Sequence, residues 1–143
     1  AYDRVPVVVR KYGIESGKVW QEIRDFHDMS WAEKVATSVE NYGDVSGTQV
    51  GAKRIINEVF HETLTEHDDD LFQFAYRIDR GPGPLKADKI QNYIGVVKLS
   101  SQGEQTVVDW SSTFESVDEE AVTNFCNPMY GALLAAMNKS LSE

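Results

Sequence analysis

An arginine and a glutamate, Arg54 and Glu62, lie on two predicted paired strands that a short turn at Asn57-Glu58 joins. If both side chains point inward, they are buried charges, and a buried charge must be paired or bound to a ligand. One interpretation is a mutual ion pair that only satisfies the two groups. The other is an anchor for the polar end of a ligand, with Arg54 bound to a carboxylate, enolate or carbonyl oxygen.

The same residues suggest a catalytic hypothesis. Arg54 would stabilise an enolate in a cyclase-type or aldolase-type reaction, because such a reaction needs an electrophilic hydrogen-bond donor. Tyr93 would serve as a second donor or as a general acid. Glu62 would act as a base only if burial raised its pKa. Catalysis by Arg54, Glu62 and Tyr93 therefore stands as an alternative to binding alone.

Several aromatic side chains fall on the inward faces of the predicted strands. One interpretation is a solid core, since aromatic residues dominate protein cores. The other is the lining of a ligand pocket, because buried Tyr and Trp need a few well-placed polar partners. The sequence leaves both interpretations open for this set: Phe72, Phe74, Tyr76, Tyr93, Trp110 and Phe114.

Motifs for metals, cofactors and nucleophilic catalysis are not found in the sequence. His61 and His67 share a predicted strand, but no third ligand is evident, and His27 falls in a loop. Cys126 is the only cysteine. It falls on an apolar helical face and is interpreted as a core residue. We therefore expect neither a metal nor a cofactor.

Size and charge limit the possible partners. A chain of 143 residues is interpreted as one domain, 1–143. The net charge of −9 argues against nucleic acid as a partner. No apolar run reaches the roughly 18 residues that span a membrane, so we expect no stable membrane insertion. No signal peptide is visible and no internal disulfide can form, which leads us to expect a cytoplasmic protein, either monomeric or homodimeric.

The period of the apolar residues predicts the elements that position these groups. A first strand covers 3–12, and Pro6 within it predicts an edge strand because proline cannot donate to a ladder. Helical spacing follows from Ser16 to Phe26, with a second short helix at 31–34. From Val35 the period changes to two. The predicted strands that follow are 35–41, 51–56, 59–67, 71–79, 88–99 and 105–115.

The last segment, 118–141, is predicted to be one long amphipathic helix packed on the sheet. Ser116 to Glu119 matches a capping box at its start. Pro128 lies inside the helix and predicts either a kink or two segments, the second of which Asn127 would cap. The apolar face consists of Val122, Phe125, Cys126, Met129, Leu133, Leu134, Met137 and Leu141.

The order of elements and a set of short motifs together resemble the helix-grip fold of the START and birch-pollen-allergen superfamily (SRPBCC). Within it, the chain looks like the bacterial polyketide cyclase/dehydrase-type branch. The resemblance implies an α+β fold in which a curved antiparallel sheet of about seven strands wraps around a long C-terminal helix, with two short helices between the first two strands. The motifs are Val19-Trp20, Arg24-Asp25-Phe26, Trp31, Gly51-Ala52-Lys53-Arg54, Glu62-Thr63-Leu64, Tyr76, Asn92-Tyr93, Asp109-Trp110-Ser111 and Phe114-Glu115.

The resemblance also implies a function, because members of this superfamily enclose an apolar cavity between sheet and helix. We expect this protein to bind a small hydrophobic molecule that is aromatic, polyketide-like or lipid. The alternatives are a cofactor-free cyclase or lyase that uses the same cavity, and a protein-interaction module. The implied ligand-binding residues are Trp31, Arg54, Ile56, Glu62, Phe74, Tyr76, Tyr93, Trp110, Ser112, Phe125, Met129 and Leu133.

Two departures argue against a plant-type hormone receptor. Those receptors place a carboxylate-binding lysine on the strand after the helix pair, and the corresponding position here is read as Ala36. Their long gate loop is also replaced by the tight turn at 56–59. The resemblance therefore identifies a cavity and a fold but not a hormone ligand.

Overall fold

The computed structural model describes residues 3–12, 16–103 and 105–142, and only the backbone of 3–12 and 142. Within these ranges, seven antiparallel strands form one sheet in the order β1-β7-β6-β5-β4-β3-β2. A short helix and a 3₁₀ turn separate β1 from β2, and a long helix follows β7. The predicted α+β architecture is therefore confirmed. The elements are β1 (Asp3–Tyr12), α1 (Ser16–Ile23), a 3₁₀ turn (Ser30–Ala32), β2 (Val39–Tyr42), β3 (Lys53–Ile56), β4 (Phe60–Asp68), β5 (Gln73–Arg80), a second 3₁₀ turn (Gly83–Leu85), β6 (Ile90–Gln102), β7 (Gln105–Ser116) and α2 (Glu119–Ser142).

Strand β1 lies at one edge of the sheet, as Pro6 predicted. It pairs with β7, and the register shifts between Val5 and Val8, at the position of Pro6. Proline lacks the N–H that a regular ladder requires, so it occurs at edges and bulges. The edge position and the irregular pairing thus have the same cause.

The turn between β3 and β4 fixes the strands that carry Arg54 and Glu62. Asn57 and Glu58 adopt positive φ angles of 53° and 65°, as both central residues of a type I′ hairpin do. Val59 follows this turn outside the ladder, so Ile56 pairs with Phe60 and Arg54 lies directly opposite Glu62 in the antiparallel register. The predicted hairpin is confirmed.

The side chain of Asn57 also holds the segment before β2. Its Oδ1 accepts hydrogen bonds from the backbone N–H groups of Thr37 (2.9 Å) and Ser38 (3.3 Å), and its Nδ2 donates to the Val35 carbonyl (3.0 Å). The predicted strand at 35–41 is therefore wrong over 35–38, because a side chain rather than a neighbouring strand satisfies these backbone groups. Strand β2 begins only at Val39.

The start of α2 differs by two residues from the predicted capping box. Asp118 is the N-cap, since its Oδ1 accepts a hydrogen bond of 3.0 Å from the N–H of Ala121. Ser116 instead accepts a bond from the N–H of Asp118. The helix then continues from Glu119 to Ser142 with Pro128 inside it. The alternative of two segments capped at Asn127 is therefore wrong.

The buried face of α2 is narrower than predicted and contains one additional aromatic residue. Phe125, Met129, Leu133 and Leu141 are only partly buried against the core. Tyr130, which the predicted apolar face omits, is 1% exposed. The residues of α2 that are buried among the described part of the chain are Val122, Cys126, Tyr130, Leu134 and Met137.

Asp69, in the turn between β4 and β5, ties this end of the sheet to α1. Its carboxylate accepts hydrogen bonds from Trp20 Nε1 (2.8 Å), Arg24 Nε (2.9 Å) and Arg24 Nη2 (3.0 Å). The bonds from Arg24 are the largest cause, and the bond from Trp20 the second, of a lowered pKa of Asp69, from 3.8 to about 2. The ionised carboxylate therefore stabilises the folded state.

We expect this contribution to be present above about pH 4 and to be lost as the pH falls toward 2, because a lowered folded-state pKa favours folding only while the group is ionised. Half of the Asp69 side chain is exposed (51%), so solvent screens the pair. Asp69→Asn should therefore lose only about 0.2–1 kcal/mol at neutral pH. Urea unfolding at neutral and acidic pH measures the effect, with Asp70→Asn as the matched control. Equal losses of stability in Asp69→Asn and Asp70→Asn would contradict the stabilising role of the Asp69 carboxylate.

Candidate functional site

A small cavity lies between the concave face of the sheet and α2. Its volume is about 50 Å³. The walls are mostly apolar and come from the segment 29–36, from β3, β4, β5 and β7, and from α2. The lining residues are Met29, Val35, Ala36, Arg54, Ile56, Asn57, Phe60, Glu62, Tyr76, Ile78, Trp110, Met129, Tyr130 and Leu133.

Arg54 and Glu62 form a buried ion pair at the wall of this cavity. The two residues are 3% and 5% exposed. Arg54 Nε and Nη2 lie 2.9 Å and 2.8 Å from the same carboxylate oxygen, Glu62 Oε1. Arg54 Nη1 donates a further bond of 3.0 Å to the Phe26 carbonyl. The register of the hairpin and the loop after α1 thus hold the guanidinium in one orientation.

Aromatic rings cover the guanidinium. The Phe26 ring centroid lies 3.7 Å from Arg54 Cζ, and the Tyr76 centroid lies 5.7 Å from it. A cation over an aromatic face is stabilised by the ring quadrupole, and more so when water is excluded. The charge of Arg54 is therefore balanced by a carboxylate, a carbonyl and two rings rather than by solvent.

The pKa of Glu62 is raised above its usual range. Burial is the largest cause, because it penalises the charged form, and the nearby Asp79 charge acts in the same direction. The charge and hydrogen bond of Arg54 act against this rise. Arg54 therefore favours the ionised form of Glu62, whereas burial and Asp79 oppose it.

Tyr76, Trp110 and Tyr130 form the deep wall of the cavity. Trp110 Nε1 donates a hydrogen bond of 3.0 Å to the Tyr76 hydroxyl, and the Trp110 ring stacks on Tyr130 at 5.3 Å between centroids. Tyr76 pairs with Gly95 on β6, and its ring lies against that glycine. A Cβ at Gly95 would approach Tyr76 Cε1 to 2.6 Å. The position of Tyr76 thus depends on the absence of a side chain at Gly95.

Tyr93 lies behind this wall. Its hydroxyl is hydrogen-bonded to the Tyr130 hydroxyl and lies 3.4 Å from Cys126 Sγ. Burial raises the pKa of Tyr93, Tyr76 and Tyr130 well above the ordinary value. These phenols are therefore neutral hydrogen-bonding groups.

Cys126 is buried, and burial raises the pKa of its thiol to about 11 although the Tyr93 hydroxyl acts against this. The thiolate is the nucleophilic form of cysteine, so a raised pKa argues against reactivity. The structure agrees with its interpretation as a core residue.

Two of the three histidines, His27 and His67, contact backbone carbonyl groups. His27 Nε2 lies 3.0 Å from the Lys53 carbonyl, and His67 Nε2 lies 2.8 Å from the Arg24 carbonyl. In the ranges 16–103 and 105–141, where side chains are described, no group of three or more His, Cys, Asp or Glu residues could hold a metal ion. No helix in the described part of the chain is long and apolar enough to cross a membrane.

Comparison with protein families gives the context for this geometry. Residues 14–142 match the family described as polyketide cyclase / dehydrase and lipid transport. The chain belongs to this family. No curated protein matches it in sequence.

Known structures agree with this family membership. A protein from Nitrosospira multiformis is 33% identical, with a TM-score of 0.87 over 94% of each chain. Norcoclaurine synthase from Thalictrum flavum, at 15% identity, has a TM-score of 0.77 over 100% of this chain and 88% of its own. Ara h 8.0201, at 14% identity, has a TM-score of 0.77 over 100% of both chains. The latter two show the fold alone, and the predicted helix-grip fold is confirmed.

The cavity of this family member brings together part of the predicted ligand-binding set. The predicted residues that line it are Arg54, Ile56, Glu62, Tyr76, Trp110, Met129 and Leu133. Of the predicted catalytic residues, Arg54 and Glu62 are thus on the cavity, while Tyr93 contacts it only through Tyr130. Their roles toward a ligand remain predictions.

The other predicted residues lie elsewhere in the core. Trp31 lines a separate surface groove against the last turns of α2, and Phe74 packs between Trp20 and Tyr76. Phe125 packs against Phe60 near one end of the cavity.

Ser112 is buried behind the cavity wall. Its hydroxyl opposes the rise in pKa of Tyr93 and Tyr130, but its geometry falls short of a hydrogen bond. It therefore belongs to the polar cluster around Tyr93 rather than to the cavity lining.

Sequence reasoning missed several cavity residues, and Tyr130 is one of them. The helical spacing could have predicted Tyr130 on the buried face, because this residue lies four residues after Cys126 and four before Leu134. Met29 and Phe60 had no comparable signal, since the first lies in an irregular loop and the second at the start of a strand.

Proposed function

We propose that this protein binds a small hydrophobic molecule, aromatic, polyketide-like or lipid, between the sheet and α2. The observation that carries the proposal is a cavity at that position with apolar walls and one buried ion pair, Arg54–Glu62. Ligand sites are mostly apolar and contain a few convergent polar groups. The family description, which includes lipid transport, supports the same function.

The cavity must enlarge to take such a ligand. Its volume of about 50 Å³ is well below the roughly 150 Å³ of an apolar cavity that binds benzene. The side chains of Ile56, Phe60, Met129 and Leu133 are only partly buried on its walls. Methionine is unbranched and adapts to irregular spaces. We therefore place the opening between the β3–β4 hairpin and the middle of α2.

Binding is tested with 2-naphthol for the aromatic class and decanol for the lipid class. We expect at least one probe to raise the melting temperature and to shift the indole N–H signal of Trp110, which lines the cavity. The indole N–H of Trp20 is bonded to Asp69 outside the cavity and serves as an internal control.

Leu133→Ala should enlarge the cavity and strengthen binding of the better probe by about threefold to tenfold, since less apolar side chain must move aside. Leu141→Ala is the matched control, because Leu141 is also partly buried on α2 but does not line the cavity. A lack of binding by both probes to both the wild type and Leu133→Ala would overturn the proposal.

The raised pKa of Glu62 favours a second candidate function, a cofactor-free cyclase or lyase. A carboxylate with a raised pKa is a better general base near neutral pH, and Arg54 would stabilise the resulting enolate. Tyr76 and Tyr130, rather than Tyr93, are the tyrosines that line the cavity. Turnover of a polyketide-like thioester that falls at least about 100-fold in Glu62→Gln, with 2-naphthol still bound, would favour the enzyme.

A further inference from the structure

The charged groups on the cavity neutralise each other. Among the described residues, Arg54 and Glu62 are the only charged side chains in the lining. Arg54 Nε and Nη2 both contact Glu62 Oε1, and Nη1 is bonded to the Phe26 carbonyl. One positive and one negative group give the lining a net charge of zero.

Access to the guanidinium is also restricted. The Phe26 ring lies 3.7 Å from Arg54 Cζ and covers that face of the cation. Glu62 and the Phe26 carbonyl use three of the five guanidinium N–H groups, so a second anion would share the cation with Glu62 or displace it. Displacing Glu62 would leave its carboxylate buried without a partner, which is strongly unfavourable.

Uncharged polar groups are better placed to contact a ligand. Tyr76, Trp110 and Tyr130 line the cavity, and the Tyr76 hydroxyl accepts a hydrogen bond from Trp110 Nε1. A phenolic hydroxyl both donates and accepts hydrogen bonds. A carbonyl or hydroxyl group of a ligand can therefore bond at this wall without adding a charge to the site.

We propose that the cavity selects apolar molecules whose polar group is uncharged, such as phenols and ketones, and discriminates against the corresponding carboxylates. This inference rests on the proposed function. Its physical basis is that a carboxylate in this site would be a buried charge with no free counter-charge. Arg54 thus serves as the partner of Glu62 and not as the receptor of an anionic ligand.

The test compares 2-naphthol with 2-naphthoate near neutral pH, where the first is neutral and the second is an anion. The two probes share one ring system and differ in the charge of the polar group. We expect 2-naphthol to bind the wild-type protein at least about tenfold more tightly, because the carboxylate must lose its hydration without compensation. The Trp110 indole N–H signal and the melting temperature report binding.

A substitution that changes the charge of the lining tests whether the Arg54–Glu62 ion pair causes the discrimination against carboxylates. Glu62→Gln gives the lining a net charge of +1 and should shift the ratio of the two affinities at least about tenfold toward 2-naphthoate. Glu66→Gln is the matched control, since it removes the same charge from an exposed position of the same strand. It should leave the ratio unchanged.

The outcomes separate the two proposals. If neither probe binds the wild type, the proposed function and this inference both fail. If 2-naphthoate binds the wild type as tightly as 2-naphthol or more tightly, binding stands and the charge selection is overturned. If Glu62→Gln folds and the ratio of the two affinities is unchanged, the ion pair is not the source of the charge selection. If Glu62→Gln does not fold, the wild-type comparison alone decides.

Discussion

Replacing Arg54 by methionine is expected to destabilise the folded protein by about 3–5 kcal/mol. The change leaves Glu62, which is only 5% exposed, without its cation. It also removes the donor that binds the Phe26 carbonyl. Removing one partner of a buried pair costs far more than the pair itself contributes, because the remaining charge is desolvated and uncompensated. Urea unfolding measures the loss.

The loss should depend on pH, and its sign follows from the pKa of Glu62. Burial raises this pKa and Arg54 opposes the rise, so removing Arg54 raises it further. A carboxyl group with a raised folded-state pKa stabilises the fold below its unfolded pKa, and the stabilisation is lost as the pH rises through the folded value. Arg54→Met should therefore recover stability as the pH falls from neutral toward about 5.

A double variant separates charge from packing. In Arg54→Met/Glu62→Leu no buried charge remains, and we expect most of the lost stability to return, since apolar replacements of buried pairs are often neutral. Arg77→Met is the control, because Arg77 pairs with Asp79 on an exposed surface and should cost at most about 1 kcal/mol. A loss in Arg54→Met that is equally small and independent of pH would contradict the buried pair.

The sequence predicted that Arg54 and Glu62 lie on paired strands across a short turn, and it left an ion pair and a ligand anchor as alternatives. Asn57-Glu58 indicates a short turn, but the pairing of Arg54 with Glu62 also requires that Val59 lie outside the ladder, so that Ile56 faces Phe60. The alternation of apolar residues then places both on the buried face. The change of period along the chain predicted the order of strands and helices, and the helix-grip architecture was what the resemblance of that order to a known superfamily implied.

The tertiary partners of polar groups could not be predicted in this way. Thr37 and Ser38 alternate as in a strand, yet their N–H groups bond to Asn57, about twenty residues away along the chain. Tyr93 faces inward as expected, but Tyr130 on α2 lies between it and the cavity. Such contacts depend on how the helix lies across the sheet, and no local pattern encodes that position.

The size of the cavity also could not be predicted from the sequence. The aromatic set suggested either a pocket or a solid core, and the structure contains elements of both. Phe74 and Phe114 are packed in the core, whereas Tyr76 and Trp110 face a small cavity. The volume depends on how side chains from several elements pack together, among them Met129 and Leu133 on α2, and the order of residues along the chain does not specify that packing.

Gly95→Ala is expected to destabilise the protein by about 1–3 kcal/mol and to displace the Tyr76 ring, although it adds only one methyl group. That methyl group would lie 2.6 Å from Tyr76 Cε1 and 2.5 Å from the hydroxyl oxygen. The ring must therefore move, and its hydrogen bond with Trp110 Nε1 is lost. The Trp110 indole N–H signal should shift without ligand, and affinity for 2-naphthol should fall.

Introducing Gly95→Ala into a Tyr76→Leu protein shows whether contact with the Tyr76 ring causes the loss of stability. In Tyr76→Leu the obstacle is removed, so adding Gly95→Ala should then cost less than about 0.5 kcal/mol, and a double-mutant cycle should give a coupling of at least about 1 kcal/mol. Gly131→Ala is the opposite control, since a Cβ there meets nothing within 4 Å. In a helix this change should stabilise by about 0.5–1 kcal/mol. If the stability losses of Gly95→Ala and Tyr76→Leu are additive, the strain does not come from contact between these two residues, and Gly95 does not position Tyr76.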